Sequence, residues 1–208
     1  AVVTNSSVAV WTPHGRNDDE CSFGIPGKSL KDNPSPDYIK AFAIYEPRNV
    51  GKVRGVCWIF ALLHNGSIHK AEFNAGMKGE QRDAWVKVVD EDGARNQGGL
   101  KVALKVAPQE QHGWHQLVTY VKYKTSMKED QENPLQFWDI GAEVEEKTPL
   151  EIKLPPVRCA CFSEDSKILV ACCFQVQKRN HVVYIIPTPE SRRSQPAYRW
   201  MVPYTRLE

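Results

Sequence analysis

Short runs of β-branched, aromatic and aliphatic residues alternate with turn residues along almost the whole chain. That rhythm predicts strands. No window of about 12 residues keeps apolar positions at i, i+3, i+4 and i+7, so helices are not expected. Four pairs of runs read as hairpins. AVVT and VAVW flank Asn5-Ser6-Ser7, and VCWIFALL and SIHKAEF flank Asn65-Gly66. QLVTYVKY and PLQFWDI flank a long polar connection near residues 124–133. KILVACCF and HVVYII flank Lys178, Arg179 and Asn180. Asn65-Gly66 predicts a two-residue turn of the primed type, which needs positive φ at both central positions.

Each hairpin except the first follows another strand-like run: DYIKAFAIY, GLKVALKVA and VRCACF. Each of the four is followed by a weaker one: CSFGI, AWVKVVD, PLEIKL and AYRWMV. The order strong, strong, strong, weak therefore repeats. Its first runs begin near residues 38, 100 and 157, an interval of about 57 to 62 residues. A fixed supersecondary period points to a repeat architecture.

The stretch VRCACFSEDSKILVACCFQ followed by HVVYIIPT reads as an inner strand, the polar turn Ser163-Glu164-Asp165-Ser166-Lys167, then second and third strands. PLQFWDIG closes its third strand on Trp138-Asp139, and SSVAVWTP has Trp11 at the equivalent place, followed by Thr12. In these features the chain resembles the WD-repeat β-propeller family. Pro155-Pro156 and Gly98-Gly99 stand where that family carries a Gly-His pair. The resemblance implies an all-β fold of propeller blades, each with four antiparallel strands. It divides a single domain, residues 1–208, into a partial blade at 1–30 and blades at 37–95, 99–154 and 157–204. Three blades and part of another are fewer than a closed ring uses. The chain also begins Ala1-Val2-Val3, which reads as the middle of a strand. Both features lead us to expect a piece of a larger propeller. The same strand pattern also fits a β-sandwich or jelly roll.

The resemblance further implies a non-enzymatic interaction or scaffold module with no cofactor. Its partner would be a protein or peptide, including a chain or segment that completes the ring. Second-to-third-strand turns and connections between blades would share the binding face. Carried onto this sequence, that face holds Asn5, Ser6, His64, Asn65, Gln177, Lys178, Arg179 and Asn180, with Lys153 and Arg158 added by the connections between blades.

Charge adds little to this picture. Lys and Arg total 27 and Asp and Glu 25, so no overall excess marks a nucleic-acid binder. No apolar run approaches the roughly 20 residues of a membrane-spanning helix.

Six cysteines stand at 21, 57, 159, 161, 172 and 173. As strand residues, Cys159 and Cys161 face one side, while Cys172 and Cys173 face opposite sides. We read them as small buried hydrophobes in a reducing, cytoplasmic or nuclear setting. A zinc set of Cys159, Cys161, Cys172 and His181 matches no standard spacing. The sequons at Asn5 and Asn65 fit the alternative, a secreted or viral-type β-sandwich that binds carbohydrate or self-assembles.

Candidate chemistry is sparse. His64, His69 and Glu72 cluster around the Asn65-Gly66 turn and carry the second alternative, a hydrolase on an all-β scaffold. His112, Trp114 and His115 form a polar-aromatic group. No G-x-S-x-G, HExxH, phosphate-loop or EF-hand pattern occurs. Residues 24–29 end like a phosphate loop, but Pro26 removes an N–H that such a cradle uses. Arg192, Arg193, Arg199 and Trp200 make the last quarter locally basic and aromatic, a surface suited to acidic peptide or RNA.

Overall fold

A computed structural model of the chain describes residues 2–3, 7–10, 21–24, 39–45, 56–74, 77, 79–81, 85–90, 102–109, 115–122, 134–140, 149–175, 180–188 and 200–203. Among these residues all regular structure is strand and no helix occurs, as the hydrophobic rhythm predicts. The chain divides into two compact units, Ala1–Gly98 and Gly99–Glu208.

In the first unit β1 (Val2–Val3), β2 (Ser7–Val10) and β3 (Cys21–Gly24) pair antiparallel in sequence order. They are followed by β4 (Ile39–Tyr45), β5 (Val56–Leu63), β6 (Ile68–Asn74), β7 (Gly79–Gln81) and β8 (Trp85–Val89). A second, antiparallel sheet takes the order β4-β5-β6-β8. Strand β7 leaves that series and runs parallel beside β3, with Cys21 opposite Gly79. Nothing in the sequence Gly-Glu-Gln announces it, because a short polar strand on a sheet edge has no apolar alternation to show.

The central strand β5 is apolar on both sides, and Ile59 to Leu63 are all buried. Cys21 and Phe23 of the first sheet pack against Ile39, Ile59, Ala61, Leu63, Ala71 and Phe73 of the second. Phe23 meets the rings of Phe73 and Trp85 edge-on, with centroids 6.4 and 5.9 Å apart. Each such pair contributes about 0.5–1.5 kcal/mol beyond its buried area.

The second unit contains β9 (Val102–Val106), β10 (His115–Val121), β11 (Leu135–Ile140), β12 (Leu150–Ile152), β13 (Val157–Phe162), β14 (Ile168–Gln175), β15 (Asn180–Pro187) and β16 (Trp200–Pro203). Two antiparallel sheets result, β9 to β12 and β13 to β16, each joined in simple sequence order. One core serves both. Ala103, Val118, Tyr120, Leu135 and Phe137 pack with Ala160, Leu169, Ala171, Cys173, Val182, Tyr184 and Ile186. The period of two sorts the remaining side chains to the opposite faces.

One of those opposite faces is buried and polar. Trp138 Nε1 donates to Thr119 Oγ1 at 3.0 Å, and the Thr119 hydroxyl donates to Gln136 Oε1 at 3.2 Å. Gln136 Nε2 donates in turn to Glu151 Oε1 at 3.1 Å. Thr119 stands opposite Gln136, and Gln136 opposite Glu151, so register alone aligns the chain of bonds across three strands.

One turn departs from the expectation for its dipeptide, and a second, where a turn is expected, holds a residue at positive φ. Around Asn65-Gly66, Gly66 N–H donates to Leu63 O and Leu63 N–H to Ser67 O, and within the turn Gly66 alone has positive φ, 86°. This is a three-residue loop with glycine at the left-handed position, not the two-residue primed turn that the dipeptide predicts. The Ser163–Lys167 turn places Ser166 at φ 60°. Three bonds hold that strained residue: Ser166 N–H to Ser163 O, Gln109 N–H to Ser166 Oγ, and Thr188 Oγ1–H to Ser166 O.

Candidate functional site

Of the ten residues assigned to the binding face, four have described side chains: His64, Asn65, Lys153 and Arg158. Asn5, Ser6, Gln177, Lys178 and Arg179 lie outside the described residues. Asn180 begins β15, its backbone paired with Gln175. His112, Trp114, Arg192, Arg193 and Arg199 also lie outside, and His115 and Trp200 are described by backbone alone.

The first described locus is the β5–β6 turn. Asn65 Oδ1 accepts the Ser67 backbone N–H at 3.0 Å, which fixes that atom as the oxygen, and also the Ser67 hydroxyl at 2.7 Å. Ser67 has one hydroxyl proton and has given it to Asn65. The 3.0 Å contact with His69 Nε2 therefore has the imidazole donating, which selects the Nε2–H tautomer. Burial, with help from the Lys87 charge, pulls the His69 pKa down to about 4, so the ring is neutral at physiological pH. The Asn65-Ser67-His69 line braces the turn. Its proton order is the reverse of a base-activated hydroxyl, and Ser67 is only 1% exposed. His64, half-buried, sits at the start of the same turn, and Glu72 lies exposed further along β6.

The second locus is one end of the β13–β16 sheet. A register shift between Val157 and Cys159 marks a bulge at Arg158. From there the exposed Arg158 reaches across to β15, where its Nη1 donates to His181 Nε2 at 2.8 Å. A guanidinium only donates, so His181 accepts through Nε2 and carries its proton on Nδ1. The His181 ring leans on Phe174 of β14, with centroids 5.2 Å apart. Phe174 N–H is tied to Pro156 O at 2.9 Å, which anchors the chain just before β13. Lys153 is exposed between β12 and β13.

Sequence reading placed Arg158 on the binding face but missed its partners His181 and Phe174. Phe174 and His181 occupy opposed positions in the β14–β15 register, which no local pattern in the sequence sets.

The cysteines divide. Cys21 and Cys173 are buried, as expected of small hydrophobes, and burial pushes the Cys173 thiol up to about 12. Cys159 and Cys161 are exposed instead, because their strand face lies outside the shared core. None of the six forms a disulfide. Among the described residues no group of three or more His, Cys, Asp or Glu side chains is arranged to hold a metal ion. No described helix is long and apolar enough to cross a membrane.

Compared with known proteins, the chain matches no family model, and no curated protein matches it.

Proposed function

We propose that this chain is a non-enzymatic interaction module of propeller-type blades, and that it grips an acidic segment of a protein or peptide partner at the Arg158 end of the β13–β16 sheet. The observation that carries this reading is the Arg158–His181 contact at 2.8 Å on an exposed sheet end. His181 uses its lone pair to orient the guanidinium, whose planar fork matches the geometry of a carboxylate. Phe174 backs the imidazole, and Lys153 adds a second exposed cation on the connection leading into β13. Lys178 and Arg179 join β14 to β15 in the chain and extend the same charge sign. Four-stranded sheets built from consecutive strands, seen twice in the second unit, suit blades that bury their faces and bind through their ends.

Calorimetric titration with a glutamate-rich peptide tests the reading. Lys153→Glu with Arg158→Glu, and separately Lys178→Glu with Arg179→Glu, should each weaken binding by about tenfold or more. Equal affinity in wild type and both variants would remove this end of the sheet from consideration.

A further inference from the structure

The outer face of the β13–β16 sheet carries two thiols in direct cross-strand register, Cys159 on β13 opposite Cys172 on β14. We propose that Cys159 and Cys172 are a dithiol redox pair that closes to a cross-strand disulfide by exchange with a small-molecule disulfide of the glutathione class. The inference is independent of the partner reading above.

Geometry selects this pair from the four cysteines of the β13–β16 sheet. Ala160, next to Cys159, turns its N–H away from β14 and gives it to Tyr120. Ala160 and Ala171 therefore form a non-hydrogen-bonded pair, and the alternation makes Cys159–Cys172 a hydrogen-bonded one. Opposed Cα atoms of such a pair lie about 5.5 Å apart, within the span that a disulfide bridges. The two side chains already share a hydrogen bond. The alternative cross-strand partners on this sheet fail. Cys161 stands opposite Val170, so Cys172 is its diagonal neighbour, at about 7–8 Å. Cys173 points into the core on the other face.

The roles follow from exposure. Cys159 is exposed and meets the oxidant first. Cys172 is half-buried, and burial together with the neighbouring Cys159 raises its pKa, which suits a resolving thiol that acts second. In the first step the Cys159 thiolate attacks one sulfur of the small disulfide. The Cys159–S–S–R bond forms, and one R–S⁻ leaves and takes up a proton. Cys172, on losing its proton, then attacks the Cys159 sulfur and displaces the second R–S⁻. Two protein thiols are oxidised to one disulfide, and the small disulfide is reduced to two thiols.

The test equilibrates the full chain in buffers of reduced and oxidised glutathione, traps free thiols by alkylation at low pH and maps the peptides by mass spectrometry. The expected product is a Cys159–Cys172 cross-link, about 2 Da lighter than the two reduced peptides together, reversed by dithiothreitol. Cys172→Ser should instead hold a stable glutathione adduct on Cys159, and Cys161→Ser should leave the cross-link unchanged. Wild-type peptide mapping decides the question even if a serine variant folds poorly. A cross-link involving Cys161 or Cys173, glutathione adducts without a cross-link, or six unmodified thiols under oxidising buffer would each overturn the proposal.

Discussion

Tyr120 Oη accepts the backbone N–H of Ala160 at 3.0 Å, and through that bond β10 of one sheet holds the edge strand β13 of the other. Edge strands leave alternate N–H groups without a ladder partner. Ala160 is 4% exposed and Tyr120 2%, so water cannot substitute. Tyr120→Phe should therefore destabilise the second unit by about 1–3 kcal/mol, the cost of an orphaned buried donor. A lower urea midpoint at unchanged slope is the expected result, and an unchanged midpoint would mean that the bond adds nothing. The same tyrosine gives an alkaline limit. Burial foremost, then Cys159 and Cys161, raise its pKa above 10.0 against the lowering effect of the Ala160 bond. A group raised in the folded state binds its proton more tightly there. Its contribution is complete below pH 10 and is lost as pH climbs through the folded value. Tyr120→Phe should flatten that alkaline loss.

Thr119 both accepts from Trp138 and donates to Gln136, so it cannot be removed without consequence at two sites. Thr119→Val keeps the shape but leaves the Trp138 indole N–H unpartnered where the ring is 1% exposed. We expect a loss of about 1–3 kcal/mol. Trp138→Phe added to Thr119→Val should cost less than the two single changes summed, because the second removes the donor that the first had orphaned. Additive losses in chemical denaturation would show that the two residues do not act together.

His69 makes the first unit sensitive to mild acid. Its pKa falls from 6.5 in the unfolded chain to about 4 in the fold. The unfolded chain thus binds the proton first, and stability present above pH 6.5 drains away as pH falls toward 4. His69→Gln keeps a donor for Ser67 but does not titrate. Its denaturation midpoint should change less than that of wild type between pH 7 and pH 4.5. Parallel curves would sink the assignment.

Asp165 does corresponding work in the other unit. Its Oδ1 accepts from the Ser163 hydroxyl at 2.6 Å and from the Lys167 N–H at 3.1 Å, and these bonds hold the carboxyl below its ordinary 3.8. Its contribution is present above that value and disappears as pH drops through the folded one. Asp165→Ala should lower the thermal midpoint at pH 7 and narrow the gap between variant and wild type near pH 3. A constant gap across that range would mean that the carboxylate charge is irrelevant to the turn.

The strands themselves were written locally. Runs such as VCWIFALL and KILVACCF are apolar on both sides and become the central strands β5 and β14. The weak run PLEIKL becomes the edge strand β12, as its amphipathic pattern requires. Arg158 and Lys153 are legible as charged residues of the sequence, and both are exposed in the structure. The arginine's partner was not legible, because a bulge of one residue decides where Arg158 stands, and no local propensity encodes it.

Sequence alone determined that this protein is built of short antiparallel strands, because alternation and turn chemistry act between near neighbours. Tertiary structure decided what those strands place side by side: β7 beside β3, Thr119 between Trp138 and Gln136, Cys159 against Cys172. These meetings depend on register and on which faces share a core, and both are settled by contacts between residues far apart in the chain.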